Sequence, residues 1–278
     1  MKQNKVAVVF SESSQAKLAK VAGKQLDLPV LTLLAAEKKD FDFFLFVEAE
    51  GFSLREAFLS KNKKKAEALK IEFGSGPLDY RRRFGQNGGD LIIKAVGGGR
   101  NHRNSSNSSA QVLDLTLGLG RDAFILASHG WMITGIEQSP VLCEMLTDAR
   151  DRALKNPRIE KVVKRIKIIN EDSSSFLNNL ESYEKKSWDV ILFDPMFPTK
   201  KKSALPKKEM QILHAFIGAD DDETESQKIA DFVIKKKICS RLVVKRPLLA
   251  PPLVQSKKAS LTFKSSSTRF DVYFIEKT

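Results

Sequence analysis

Val112-Leu113-Asp114-Leu115-Thr116-Leu117-Gly118-Leu119-Gly120-Arg121-Asp122-Ala123 runs from an apolar stretch through a glycine pair into a helical pattern. Val112 to Leu117 is apolar on both faces, as in a central strand covered by helices on either side. Without Cβ atoms at Gly118 and Gly120, the backbone can turn sharply and approach a ligand at the start of the next helix. Downstream, the pattern alternates. Strands are predicted at Met132–Glu137, Ile166–Asn170, Val190–Phe193 and Leu242–Lys245, and helices at Arg121–His129, Pro140–Lys155, about 207–217 and 226–238. Ser260–Phe263 and Arg269–Ile275 read as a closing antiparallel pair. Such alternation predicts an α/β, Rossmann-like, mostly parallel sheet. Ligands then bind beyond the carboxyl ends of its central strands. Asp114, Glu137, Asp172 and Asp194 all fall at or just past such ends.

Glu137 lies 17 residues past Gly120, where a carboxylate can accept both hydroxyl protons of a ribose. Asp172-Ser173, at the end of the third strand, is placed to meet an adenine edge. Gly118-Leu-Gly120-Arg-Asp-Ala123 also satisfies the dinucleotide fingerprint, so NAD competes with S-adenosylmethionine. Asp114 ahead of the glycines, the basic clusters and the lack of a hydride-transfer acid favour S-adenosylmethionine, with S-adenosylhomocysteine as product.

The strand Val190–Phe193 delivers Asp194-Pro195-Met196-Phe197-Pro198 to the same edge. Pro195 restrains the backbone and has no N–H, leaving nearby carbonyls as acceptors. An aromatic amine is a poor nucleophile because its lone pair is delocalised. Asp194 and a local carbonyl can accept its two protons and direct the lone pair, while Phe197 stacks on the base. Methyl transfer would then be an in-line displacement dominated by positioning. By itself the five-residue stretch also reads as a rigid turn.

The net charge of +13 is concentrated: residues 61–103 carry +7 and residues 199–209 carry +4. Concentrated Lys and Arg suit a polyanion such as nucleic acid. Arg81, Arg82, Arg83, Lys200, Lys201, Lys202, Lys207 and Lys208 are the candidate phosphate contacts, and Lys245-Arg246 could extend their surface. Cys143 and Cys239 fit a reducing compartment. His102, His129 and His214 show no ligand spacing, so no metal is expected. No signal-peptide pattern or membrane-spanning run occurs, which predicts a cytoplasmic protein with no membrane partner.

Residues 1–72 read as a small α/β unit. Its strands are predicted at Val6–Phe10, Val30–Leu34 and Phe41–Val47, and its helices at Ser14–Lys24 and Ser53–Leu59. Residues 73–110 form a basic substrate-side segment and linker, and 111–278 the catalytic domain.

Several of these stretches resemble the RsmJ family: Asp114 to Phe124, Asp194 to Pro198 with Lys202-Ser-Ala-Leu205, Lys207-Lys-Glu-Met210 and Val243-Val-Lys-Arg-Pro247. The likeness runs from about Phe73 to Tyr273 and includes Arg81-Arg82-Arg83-Phe84-Gly85. RsmJ enzymes are bacterial methyltransferases that modify a guanine N2 in 16S rRNA near its 3′ end. The resemblance implies the class I S-adenosylmethionine-dependent methyltransferase fold with a seven-stranded sheet. It implies 16S rRNA or the small ribosomal subunit as partner, and cofactor contacts at Arg121, Asp122, Glu137, Gln138, Asp172, Ser173 and Asp194. Gln138 stands where the family pattern carries Arg, Asp172 where it carries Ser, and Leu117 where it carries a small residue. The residues themselves leave other acceptors open: adenine N6 in DNA, a protein glutamine, or no catalysis in an RNA-binding protein.

Overall fold

The computed structural model describes residues 4–57, 67–84, 90–98, 110–180, 188–197, 208–218 and 223–276. They form two compact units. One holds Met1–Glu72, Ser139–Arg152 and Thr199–Ala219; the other holds Phe73–Gln138, Ala153–Pro198 and Asp220–Thr278.

The first unit begins with β1 (Val6–Phe10), α1 (Ala16–Leu26), β2 (Val30–Thr32), α2 (Leu33–Ala36), β3 (Phe43–Glu48), β4 (Gly51–Glu56) and β5 (Leu69–Lys70). The sheet order is β2-β1-β3-β4-β5, with β1 parallel to both neighbours and β3, β4 and β5 antiparallel. Two expectations are corrected. The predicted strand Val30–Leu34 ends at Thr32, whose hydroxyl accepts the Ala35 N–H and caps a short helix. The helix expected over Ser53–Leu59 gives way to β4 as far as Glu56, and Phe58 and Leu59 lie outside the described residues. Gly51, at φ +111°, closes a hairpin pairing Glu48 with Gly51 and Leu45 with Leu54. A pattern of seven residues has no decisive period, and the hairpin turn settles it.

The second unit opens with α3 (Gly76–Phe84) and α4 (Leu91–Val96), then β6 (Gln111–Asp114), α5 (Arg121–Ser128) and β7 (Met132–Glu137). Helix α6 (Pro140–Leu154) lies mostly in the first unit. There its Asp148 accepts the Phe52 N–H at 3.2 Å, and its Arg152 donates to the Ile71 carbonyl at 2.8 Å. The chain continues through α7 (Glu160–Val163), β8 (Ile166–Asn170), α8 (Ser173–Asn178) and β9 (Trp188–Phe193). Helix α9 (Lys208–Ile217) belongs to the first unit, where Phe216 meets Phe43 edge-on with centroids 5.2 Å apart. Then follow α10 (Thr224–Lys236), β10 (Cys239–Pro247), β11 (Leu261–Lys264) and β12 (Thr268–Phe274).

The seven-stranded order β11-β12-β10-β9-β6-β7-β8 is parallel from β10 to β8 and antiparallel at β12 and β11. From β6 the chain winds outward through β7 and β8, then returns to place β9 on the other side of β6. That reversal puts the sheet's switch point between the tips of β6 and β9, the expected ligand position in such sheets. Apolar side chains cover both sheet faces. Leu113, Leu115, Ile191, Phe193, Leu242, Val244 and Tyr273 share one buried cluster. Leu117 finds room against Gly135 of β7, where a Cβ would stand 2.6 Å from a Leu117 methyl. Burying that leucine contributes roughly 1.5–3 kcal/mol.

Candidate active site

Past Asp114 the chain stays extended: the Leu115 N–H bonds to the Leu192 carbonyl and the Leu117 N–H to the Ile136 carbonyl, each at 2.9 Å. It then turns at Gly118 and Gly120, whose φ values of +54° and +67° lie in the left-handed region that glycine tolerates best. Gly120 is the residue immediately before α5. A Cβ at Gly118 would meet nothing nearer than the Thr116 carbonyl at 3.8 Å. One face of the turn is therefore open backbone beside a helix start, a shape suited to a nucleoside-bearing cofactor.

Carboxylates surround this turn. Glu137, buried at the end of β7, accepts the Gly118 N–H at 2.9 Å. The Asn170 amide donates to the Glu137 and Gln138 carbonyls at 2.8 and 3.2 Å, fixing the tip of β7. Asp114 is buried and accepts the Thr116 N–H at 3.0 Å. Burial pushes its carboxyl up to about 7; Asp122 and Asp194 add to the rise, while the Thr116 N–H and Lys245 oppose it.

Lys245 of β10 links two of these acids. Its ammonium donates to Asp194 Oδ2 at 2.7 Å and to Asp122 Oδ2 at 3.1 Å. Asp122, in the first turn of α5, also accepts from Arg81 Nη1 at 2.8 Å. Arg81 in turn donates from Nε and Nη2 to Asp90 at 2.5 and 3.0 Å, and Asp90 caps α4 through the Ile92 N–H. Charges thus alternate along Asp194, Lys245, Asp122, Arg81 and Asp90. Burial raises the Asp122 carboxyl, but Lys245 and Arg81 outweigh it and hold the group below its ordinary range. For Asp194 burial wins over Lys245, and the carboxyl is raised. Burial lowers Lys245, but the two carboxylates more than compensate, so it stays a cation.

The Asp194 side chain is 39% exposed, and its backbone N–H donates to the Thr116 hydroxyl at 2.7 Å. Three residues on, the Phe197 ring is covered by the Arg246 guanidinium at 4.7 Å from its centroid. Arg246 is 1% exposed, forks onto both Glu223 oxygens at 3.0 and 3.1 Å, and donates to the Pro251 carbonyl. The expectation that Arg246 extends an RNA-facing surface is corrected: its hydrogen bonds turn it inward beneath Phe197. Lys245 likewise points into the acid cluster.

The other predicted residues are distributed as follows. Arg121 opens α5 and is partly buried, and Gln138 is exposed. Asp172 caps α8 by accepting the Ser175 N–H at 2.9 Å, and the Ser173 hydroxyl bonds to the Leu115 carbonyl. Arg82 and Arg83 both pair with Asp79, at 2.6 and 2.7 Å. Lys208 is exposed and pairs with Glu67. Pro198, Lys200, Lys201, Lys202 and Lys207 lie outside the described residues. Thr116, Asn170 and the Lys245–Asp122–Arg81 chain carried no sequence signal, because each acts through partners distant along the chain. Among the described residues no cluster of acids, histidines and cysteines could hold a metal ion, and no helix is long and apolar enough to cross a membrane.

The family of SAM-dependent methyltransferases called SAM_MT matches residues 30–275 of this chain. Ribosomal RNA small subunit methyltransferase J of Coxiella burnetii is 35% identical over 98% of this chain and 97% of its own length. The protein of the same name from Saccharophagus degradans is 36% identical, covering 96% of each chain. The crystal structure of a SAM-dependent methyltransferase from Neisseria gonorrhoeae superposes with a TM-score of 0.68 at 25% identity, covering 96% of each chain. The chain belongs to the S-adenosylmethionine-dependent methyltransferase family that includes ribosomal RNA small subunit methyltransferase J.

Proposed function

We propose that this enzyme methylates the N2 of a guanine in 16S rRNA near its 3′ end, using S-adenosylmethionine and releasing S-adenosylhomocysteine. The observation that carries the reading is the adjacency of Asp194 and the Asp114–Gly120 turn at the sheet's switch point. The relatives' ribosomal RNA specificity supplies the acceptor class. When bound, S-adenosylmethionine supplies an electrophilic methyl group on a sulfonium.

The open backbone at Gly118 and the turn through Gly120, with Arg121 and Asp122 at the start of α5, would hold the cofactor. Glu137 and Gln138 would take its ribose, Asp172 and Ser173 its base, and Asp114 its cationic end. The residues fit that group: the turn has space where a Cβ would project, and the surrounding acids suit a cation. Asp194, with Oδ2 fixed by Lys245, presents a carboxylate edge to an exocyclic N–H. By accepting a hydrogen bond from the amine N–H, Asp194 orients the amine and directs its lone pair. Pro195 keeps the local backbone rigid. Phe197, seated on Arg246, offers its ring to the base; stacking of this kind contributes about 1–3 kcal/mol.

In this reading Lys200, Lys201, Lys202, Lys207 and Lys208 contact the RNA backbone, as do Arg82 and Arg83, whereas Arg81 is engaged by Asp90 and Asp122. Residues 1–72, joined in one compact unit by 139–152 and 199–219, make the small α/β domain in this reading, 73–110 the substrate-side segment and the rest of 111–278 the methyltransferase domain. The enzyme works in the cytoplasm, on naked rRNA or on the small subunit. The direct test is Asp194→Ala. It should abolish transfer of labelled methyl to small-subunit rRNA while thermal unfolding and cofactor binding stay near those of the parent. Full retained activity would refute the role of Asp194.

A further inference from the structure

We infer that Lys245 is a positioning residue for methyl transfer, fixing the Asp194 carboxylate in its accepting form and orientation. The inference rests on the reading that Asp194 receives the acceptor amine.

Lys245 reaches the site from β10, the strand next to β9, and its ammonium spans two carboxylates on different elements. Asp194 follows β9 and Asp122 begins α5, so one cation ties a strand tip to a helix start. Asp122 is itself held by Arg81, and Arg81 by Asp90. Lys245 therefore has a fixed backing, unlike a solvent-exposed pair between two flexible side chains. Its side chain is 26% exposed and that of Asp122 is 18% exposed, while Asp194 opens outward at 39%. The most accessible member of the chain is the one proposed to meet substrate.

An ammonium has three donors and no acceptor. With its protonation reinforced by Asp122 and Asp194, Lys245 cannot take a proton from the amine. What it supplies is a fixed positive charge and a fixed hydrogen bond. Burial favours the neutral form of Asp194, and Asp122 adds to that preference; Lys245 opposes both. A protonated Asp194 would carry an O–H and could present a donor to an N–H that needs an acceptor. Among the described residues, the charged groups facing this position are Asp114 at the end of β6, Asp122 and Arg81 from α5 and α3, and Asp90 before α4. Of these only Arg81 is cationic, and it is committed to Asp122 and Asp90. Among the described residues, Lys245 is thus the cation bonded directly to Asp194.

The experiment compares the full-length parent with Lys245→Met, Lys245→Arg and Asp194→Ala. It measures kcat against pH with small-subunit rRNA, cofactor affinity by calorimetry, and thermal unfolding. Lys245→Met should lower kcat at pH 7 and move the acid limb of the profile upward by at least about one pH unit, equivalent to about tenfold on that limb. Activity should recover toward alkaline pH as Asp194 ionises. Lys245→Arg should leave the limb near its parental position. Lys245→Gln, which keeps a donor without the charge, replaces Lys245→Met should that variant not fold. A uniform loss with an unmoved limb would overturn the inference, as would a rise in the KM for RNA alone, the mark of a phosphate contact. An inactive Asp194→Ala beside a Lys245→Met of parental profile overturns only the role of Lys245. An active Asp194→Ala overturns the reading beneath it.

Discussion

The backbone N–H of Asp194 donates to the Thr116 hydroxyl across 2.7 Å, tying the tip of β9 to the chain that leaves β6. Asp114 and Asp194 sit on either side of this bond. The proposed cofactor turn and the proposed amine acceptor are thereby held in one register. Thr116→Val removes the acceptor and leaves a backbone N–H in a partly buried place, at a cost of about 1–3 kcal/mol. The expected outcome is a lower melting temperature and a fall in kcat that exceeds any change in cofactor affinity. Calorimetry and steady-state kinetics on the same preparation check it.

Asp114 makes stability depend on pH in a stated direction. Its carboxyl is raised to about 7 in the folded protein, chiefly by burial. Between the ordinary carboxylate range and pH 7, the folded state binds more protons than the unfolded state, so its stability falls as pH rises through that window. Asp114→Asn keeps an oxygen for the Thr116 N–H and removes the titration. The melting temperature of Asp114→Asn relative to the parent should therefore be higher at pH 8 than at pH 5. Scanning calorimetry at the two pH values gives the answer, and an equal difference at both would count against a buried, titrating Asp114.

The turn at Gly118 predicts a separable effect. Its φ of +54° makes any L side chain costly by about 1–2 kcal/mol, and Gly118→Val would also project atoms into the open face of the turn. Cofactor affinity should fall by more than tenfold, beyond what the modest loss in melting temperature accounts for. Parental affinity measured by titration calorimetry would show that the open face is not the cofactor's seat.

Phe197 and Arg246 should be distinguishable by what each change damages. Phe197→Ala removes the ring proposed to stack on the base, which predicts a loss of about 1–3 kcal/mol in kcat/KM for rRNA with cofactor binding intact. Arg246→Ala leaves Glu223 without its forked partner in a largely buried site. Breaking such a pair costs about 3–5 kcal/mol, so this variant should lose global stability first. Unfolding curves and kinetics for the two proteins separate the roles.

The catalytic half of the fold was legible because its signals are local. Val112 to Leu117 is apolar on both faces, Gly118 and Gly120 mark the turn, and Val190–Phe193 ends directly at Asp194. These features place two strand tips at one switch point once the parallel winding is granted. The ion-pair chain was hidden for an equally physical reason. Lys245 and Arg246 look like surface cations when charges are counted along the sequence, yet their partners Asp122 and Glu223 are brought to them by the sheet and by the segment before α10. Arg81, read as part of a basic triplet, likewise turns to Asp90 and Asp122. In the first unit, the register of the β3–β4 hairpin depends on the turn that Gly51 permits, which the helical pattern over Ser53–Leu59 does not reveal.

Nucleoside mapping by mass spectrometry, after incubating the full-length protein with labelled S-adenosylmethionine and unmodified small-subunit rRNA, tests the proposed chemistry most directly. The label should appear in a single N2-methylguanosine near the 3′ end and vanish with Asp194→Ala. Label on an adenine N6, on protein, or nowhere in the rRNA would contradict it.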